Sequence, residues 1–254
     1  MSSAQQTSTW ELQTRQLLLP KLDHEVAECE DFIAEDAETC RFAVTDGATE
    51  AFDARTWARR LAQNWVQTHS ALTAEEFREW VANEGRELHD SWNRLNLSWY
   101  SEEKARTGSF AALVGVELDF KTYSPSWKAI ALGDSCLLYC RNGSLLKSLP
   151  LSRPENFNSA PVLVASDASM HETSMTSVVI DSGNCNSGDV LLLLSDAMAC
   201  WFLERFEKGD LDPNELLKTK EDHELKRLFD DERLAGRMRN DDLAVLRIEL
   251  ISGE

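Results

Sequence analysis

Residues 41–52, RFAVTDGATEAF, change at their midpoint from an apolar pattern to a polar one. Residues typical of a buried strand lead to the pair Asp46–Gly47, and a short polar link then precedes a helical pattern. A carboxylate at the margin of a hydrophobic core costs free energy unless it has a partner. A backbone cap, an arginine and a metal ion are the candidate partners, and this stretch alone leaves all three open.

Composition and charge narrow the class of protein. The 254 residues are 43% hydrophobic and 28% charged, which is ordinary for a globular protein with a buried core. The net charge of −18 argues against nucleic acid or an anionic membrane as the main partner, because both require a basic face. It suits a divalent-cation site, although most of these carboxylates must be solvated at the surface.

The sequence favours a cytoplasmic location. No apolar run approaches the ~20 residues of a membrane span, and the N-terminus has neither the basic start nor the apolar region of a secretory signal. None of the six cysteines forms a C-x-x-C pair, and the histidines do not have zinc-ligand spacing. We interpret the cysteines as buried thiols in a reducing compartment; a structural zinc site and a catalytic thiolate are the alternatives.

The order of predicted elements is strands, two helices, many strands, two helices and a last strand. A first strand is expected within the N-terminal segment 1–24, and two more at 29–35 and 41–46. Apolar residues four apart predict a first helix, with Asp53 as its cap; these are Trp57, Leu61 and Trp65. Thr73 and Glu76 have the spacing of a capping box for the second helix. Its predicted apolar stripe consists of Phe77, Trp80, Val81, Leu88 and Trp92.

From residue 109 the pattern becomes strand-like. Asn142–Gly143 predicts a two-residue hairpin, and Gly209 ends a later helix. A charged helix is expected over about 213–236, followed by the last strand. With no internal repeat or long linker, the chain is interpreted as one domain, 1–254, of antiparallel sheets with helices packed outside them.

Five aspartates lie where an apolar strand starts or ends. Considered alone, Asp196 could cap the helix that follows it, and Asp134 could be a turn residue. Five such residues in one domain would repel one another unless cations neutralised them. Hard oxygen ligands favour magnesium or manganese. The five are Asp31, Asp46, Asp134, Asp196 and Asp241.

The motifs RFAVTDGATEAF, ALGDSCLLY, LLLLSDAMACW and DDLAVLRI resemble those of a known family, in order and spacing. The chain is similar, over about residues 25–250, to the metal-dependent serine/threonine protein phosphatases of the PPM or type-2C family, and most of all to bacterial members. The resemblance implies an α+β fold, a β-sandwich of two antiparallel sheets flanked by helices on both faces.

The resemblance also implies a set of metal-binding residues. Asp46 matches the carboxylate that bridges two ions, and Gly47 the glycine whose carbonyl binds one of them. Asp196 and Asp241 match the remaining direct ligands, with Asp242 as the adjacent alternative. These three aspartates, 46, 196 and 241, are also the expected catalytic residues. Residues expected to act through water or at a third, weaker ion are Glu30, Asp31 and Asp134.

Several positions depart from the family pattern. Val26 occupies the place of the usual phosphate-binding arginine, for which Arg41 or Arg15 could substitute. A histidine that is a candidate proton donor in many eukaryotic members is replaced by Ala48. Cys136 stands in place of the arginine of the family's GDSR motif, and Cys200 in place of an aspartate that is a partner of a third ion. The resemblance therefore implies two Mg²⁺ or Mn²⁺ ions and a third site that is poorly occupied.

The implied activity is hydrolysis of phosphoserine or phosphothreonine in a protein partner by a metal-activated water. A cognate serine/threonine kinase system would complete such a signalling pair. One alternative is a pseudophosphatase, in which the fold serves as a phosphopeptide-binding or regulatory module; another is a phosphatase for a small-molecule phosphate. His69 and His89 have no assigned role and are expected to pack in helices.

Overall fold

The computed structural model describes residues 10–68, 73–121, 125–158, 160–209 and 212–253, so His69 lies outside the described residues. The strands are β1 Trp10–Leu19, β2 Asp31–Asp36, β3 Arg41–Gly47, β4 Phe110–Asp119, β5 Ser126–Leu132, β6 Cys136–Arg141, β7 Ser144–Leu149, β8 Val164–Ala165, β9 Val179–Asn184, β10 Val190–Leu194 and β11 Leu243–Ser252. The α-helices are α1 Ala54–Thr68, α2 Ala74–Trp92, α3 Trp99–Arg106, α4 His171–Ser174, α5 Asp196–Lys208, α6 Pro213–Thr219 and α7 Asp222–Leu234.

The strands form two antiparallel sheets, as the sequence predicted. The order in the first sheet is β1-β11-β10-β6-β7, and in the second β2-β3-β4-β5-β9, with β8 paired to β4. The predicted hairpin joins β6 to β7. Its two turn residues, Asn142 and Gly143, have φ angles of 50° and 75°, the left-handed conformation that a two-residue turn requires.

Strand β10 shows why the central strands are continuously apolar. Leu191 and Leu193 pack between the two sheets, whereas Leu192 and Leu194 face the helices on the outer side. Side chains alternate across a strand, so a strand buried on both faces needs apolar residues at every position. Burying each leucine stabilises the fold by roughly 1.5–3 kcal/mol.

Helices cover the outer face of each sheet. On the second sheet, Trp57 and Trp65 of α1 are fully buried, and the capping box of α2 between Thr73 and Glu76 is formed as predicted. On the first sheet, Trp201 of α5 packs edge-on against Phe229 of α7, 5.5 Å between ring centroids. The predicted sandwich with helices on both faces is therefore confirmed. No helix of the described ranges is long and apolar enough to cross a bilayer.

Several local predictions were wrong. The helix expected over 213–236 is two helices, because Lys220 is extended (φ −92°, ψ 144°). The sequence analysis also missed α3 and α4. Asp53 does lie directly before α1, and its carbonyl accepts from the Trp57 amide (3.1 Å), as expected of a cap position. Its carboxylate accepts a hydrogen bond from the Trp92 indole (2.9 Å) and so connects α1 to α2.

Candidate metal centre

Several strands of each sheet start or end at the same side of the sandwich. We call the aspartates there, Asp31, Asp46, Asp134, Asp196 and Asp241, the acidic edge. In the second sheet, Asp31 at the start of β2 is paired with Asp46 near the end of β3. In the first sheet, Leu194 at the end of β10 is paired with Cys136 and with Val245. Strands β6 and β11 therefore begin where β10 ends. The chain just beyond these three strand ends carries Asp134, Asp196 and Asp241.

Asp242 links the two sheets at this edge. Its carboxylate oxygens accept hydrogen bonds from the backbone amides of Lys21 and Glu30, both at 2.8 Å. Its side chain is buried and both oxygens have partners, so Asp242 is a structural residue. The neighbouring Asp241 is 37% exposed at its side chain, and this geometry favours it over Asp242 as a ligand.

Asp31 and Asp46 form the part of the edge that lies in the second sheet. Burial raises the pKa of each well above its usual value, and the charges of neighbouring aspartates, Asp196 and Asp241 among them, raise both further. A hydrogen bond from Ser195 lowers the pKa of Asp31 in part. Asp31 is 2% exposed and its Oδ2 has no hydrogen-bond partner, and the described residues donate no hydrogen bond to the Asp46 carboxylate.

Asp134 and Asp196 continue the acidic edge into the first sheet. Burial raises the pKa of Asp134 to about 7, and the charge of Asp196 raises it as well. Burial also raises the pKa of Asp196, against the lowering effect of the Arg239 guanidinium. Asp196 is the first residue of α5; one oxygen accepts from the Ala197 amide and the other from Arg239. It therefore takes part in the helix start as well as in the acidic edge.

Gly47 is required by the close approach of α1. A Cβ at this position would lie 2.9 Å from the carbonyl oxygen of Ala54 and 3.2 Å from that of Glu30. Real Cβ atoms do not approach oxygen so closely, so only glycine lets β3 end against the first turn of α1. The Gly47 amide donates to the Glu30 carbonyl (3.2 Å), which places Glu30 beside Asp46.

Among the described residues, Lys21 and Arg239 contact carboxylates of the acidic edge, and Arg233 donates to the backbone carbonyl of Asp241 (2.6 Å). The sequence analysis anticipated none of them. Arg239 pairs with Asp196. The Nζ of Lys21 lies 3.7 Å from Asp241 Oδ1 and 4.0 Å from Glu30 Oε2. Burial alone would lower the pKa of Lys21, but the surrounding carboxylates outweigh it and the pKa is raised, so the ammonium stays protonated at neutral pH. Lys21 and Arg239 lie in irregular segments, where no periodicity signals which way a side chain points.

The arginines considered as phosphate-binding substitutes lie elsewhere. Arg15 donates to the Leu217 carbonyl and to Asp222 of α7. Arg41 pairs with Glu117 at the end of β3 opposite to Asp46. Val26, in a 3-10 turn, is 60% exposed. The structure therefore does not bring either arginine to the acidic edge.

Four of the six cysteines are buried thiols, and Cys40 and Cys200 are partly exposed. All six are free, and burial is the main cause that raises the pKa of each. A raised pKa is the opposite of what a catalytic thiolate or a zinc ligand needs. Cys200, at a position expected near a third ion, lines a 240 Å³ cavity together with Trp201 and Arg239.

The donor chemistry of the edge fits a hard divalent cation. Its groups are carboxylate oxygens and a backbone carbonyl, and the orphaned Asp31 oxygen is a buried acceptor that a cation would satisfy. In the described part of the chain, however, no three His, Cys, Asp or Glu side chains converge at ligand distance on one point. The residues suited to hold an ion are Asp46, Gly47, Asp196 and Asp241, with Glu30, Asp31 and Asp134 around them.

Two antiparallel sheets with helices on both outer faces match the fold of solved PPM-type serine/threonine phosphatases, and the chain has this fold. The likeness holds for the fold, since the identities are low. Neither a protein-family model nor a curated protein matches the sequence.

Three solved structures illustrate the likeness. The catalytic domain of the serine/threonine protein phosphatase PstP, in complex with two manganese ions, superposes with a TM-score of 0.60 at 15% identity, covering 96% of this chain and 100% of that one. PppA, a regulatory component of the type VI secretion system (T6SS) in Pseudomonas aeruginosa, has a TM-score of 0.59 at 14% identity, covering 95% and 98%. The photosystem II phosphatase PBCP superposes with a TM-score of 0.57 at 16% identity, covering 94% of this chain and 98% of that one.

Proposed function

We propose that this chain is a metal-dependent phosphatase that hydrolyses phosphoserine and phosphothreonine in a protein partner, as a single catalytic domain. The observation that carries the proposal is the acidic edge, where carboxylates from both sheets raise one another's pKa. The fold, shared with a phosphatase that holds two manganese ions, supports it. A phosphorylated substrate protein and a cognate serine/threonine kinase system are the proposed partners.

In this proposal Asp46, Asp196, Asp241 and the Gly47 carbonyl hold two Mg²⁺ or Mn²⁺ ions. When bound, such ions neutralise the phosphoryl oxygens and lower the pKa of an attacking water. The chain's own part is to fix the ligands. Asp242 clamps the Lys21 and Glu30 amides, and the Gly47–Glu30 hydrogen bond holds the end of β3 beside β2.

The direct test is phosphate release from an aryl phosphate and from a phosphothreonine peptide, with added manganese and with a chelator. We expect manganese-dependent release that the chelator abolishes. Release that persists in chelator would contradict the proposal. A preference for a small phosphate ester over every phosphopeptide would favour the small-molecule alternative.

A pseudophosphatase is the second candidate, and a specific observation favours it. Lys21 and Arg239 already pair with Asp241 and Asp196, two of the carboxylates that an ion would need. If these pairs persist, the edge binds phosphopeptide without turnover. Phosphopeptide binding that is unaffected by manganese, in a protein with no release activity, would support this reading.

A further inference from the structure

The backbone of Lys21 is fixed on the acidic edge. Its amide donates to Asp242 Oδ1 (2.8 Å), and the carbonyl of the preceding Pro20 accepts from Arg233 Nη1 (3.1 Å). Asp242 directly precedes β11, and Arg233 lies in the last turn of α7, which packs on the first sheet. The connection between β1 and β2 is therefore held to the first sheet at the residue whose side chain extends over the edge.

The ammonium of Lys21 has no close acceptor. Its Nζ lies 3.5 Å from Thr49 Oγ1, 3.7 Å from Asp241 Oδ1 and 4.0 Å from Glu30 Oε2. Charge-assisted N–H···O bonds are about 2.7–2.9 Å long, so each of these contacts is long. Its side chain is only 16% exposed. A largely buried ammonium with three donors and no short bond lacks a strong acceptor.

Its neighbours are arranged to leave this donor available. The Thr49 hydroxyl donates to Glu30 Oε2 at 2.6 Å, so Glu30 has a shorter partner than Lys21. Arg239 is engaged in a close ion pair with Asp196. Of these two side chains, Lys21 is the less exposed, 16% against 47%, and each of its contacts is 3.5 Å or longer.

We propose that Lys21 is a phosphate-binding residue, whose ammonium donates to a non-bridging oxygen of the phosphoryl group presented to this edge. The inference rests on the proposed function in that it places the phosphoryl group at the acidic edge. An ammonium is a compact point charge with rotatable donors, suited to a tetrahedral phosphate. Held between carboxylates from both sheets, it would offset their repulsion of an incoming dianion.

Calorimetric titration of inorganic phosphate into the manganese-loaded full chain tests the assignment. We expect Lys21→Met to weaken the phosphate Kd at least tenfold, with a manganese Kd no weaker than that of the wild type, and Lys21→Arg to restore part of the loss. The matched control is Lys147→Met, which removes a lysine paired with Asp181 at 2.7 Å. That variant should bind phosphate like the wild type. If Lys21→Met fails to fold, Lys21→Gln takes its place.

The assignment is overturned by a phosphate Kd within twofold of wild type in the Lys21 variant, or by no phosphate binding to the manganese-loaded wild type. It is also overturned if Lys21→Met loses manganese binding, since Lys21 would then position the carboxylates instead. Turnover is a separate readout. If the wild type hydrolyses a phosphoester but the phosphate Kd does not depend on Lys21, this inference alone is refuted. If phosphate binding depends on Lys21 but the wild type shows no turnover, only the proposed function is refuted.

Discussion

Asp31 and Asp46 are directly opposite residues of two antiparallel strands, and the charge of Asp31 is, after burial, the largest cause of the raised pKa of Asp46. Like charges on opposite positions of neighbouring strands destabilise a sheet. Here the pair lies where three more carboxylates, from Asp196, Asp134 and Asp241, also raise the pKa of Asp46. Positively charged side chains or bound cations at this edge would therefore stabilise the folded protein.

Asp46→Asn should abolish turnover and leave the fold intact. The substitution keeps the shape of the side chain but removes the charge proposed to hold two cations, so we expect manganese-dependent phosphate release to fall by about 100-fold or more. In chelator its melting temperature should equal or exceed that of the wild type, because repulsion is relieved. Asp222→Asn, at an exposed ion pair with Arg15, is the matched control and should retain activity. Wild-type activity in Asp46→Asn would rule out the centre.

The stability of the chelated protein should fall as pH rises from about 4 to about 7. Burial raises the pKa of Asp134 to about 7 in the folded protein, against about 3.9 for an exposed aspartate, so over this range the folded state holds a proton that the unfolded state has released. Deprotonation of Asp134 therefore lowers the free energy of unfolding by on the order of 4 kcal/mol, and this loss is complete above pH 7. Asp134→Asn should make the profile of melting temperature against pH less steep, with the remaining slope due to Asp31, Asp46 and Asp196, whose pKa values are also raised. An unchanged slope would show that Asp134 is not perturbed.

The sequence predicted the elements and most of the acidic edge because both follow from local patterns. Strand periodicity placed Asp46 and Asp196 at strand ends, but these strands, β3 and β10, belong to different sheets, so the packing of one sheet on the other brings the two residues to the same edge. Lys21 and Arg239 could not be found in this way. Each lies in an irregular segment between elements, and its side-chain direction depends on tertiary hydrogen bonds such as the one from the Lys21 amide to Asp242. The break at Lys220 was hidden because apolar residues continue on both sides of it.

Asp189 is expected to contribute to the free energy of unfolding and not to catalysis. Burial alone would raise its pKa, but hydrogen bonds from Arg141 (2.7 Å) and Tyr139 (2.5 Å) outweigh burial and lower it. Asp189→Asn should cost about 2–3 kcal/mol in urea unfolding at neutral pH, below the range for a fully buried pair because Arg141 is 32% exposed.

The pH dependence of that cost gives a second check. A carboxylate with a lowered folded-state pKa contributes stability above its unfolded pKa and loses it as pH falls through the folded value. The difference between Asp189→Asn and wild type should therefore shrink below about pH 4. Asp181→Asn, which breaks the half-exposed pair with Lys147, is the control and should cost about 0–1 kcal/mol. Equal costs in both variants would contradict the assignment of Asp189 to a buried network.

The most direct test of the account is a calorimetric titration of the wild-type chain and of Asp46→Asn with manganese. The account predicts two manganese ions per wild-type chain, a melting temperature that rises with manganese because the ions bind only the folded state, and loss of both effects in Asp46→Asn. No saturable binding to the wild type, with a melting temperature unchanged across the millimolar range, would contradict the claim that these carboxylates form a two-ion centre.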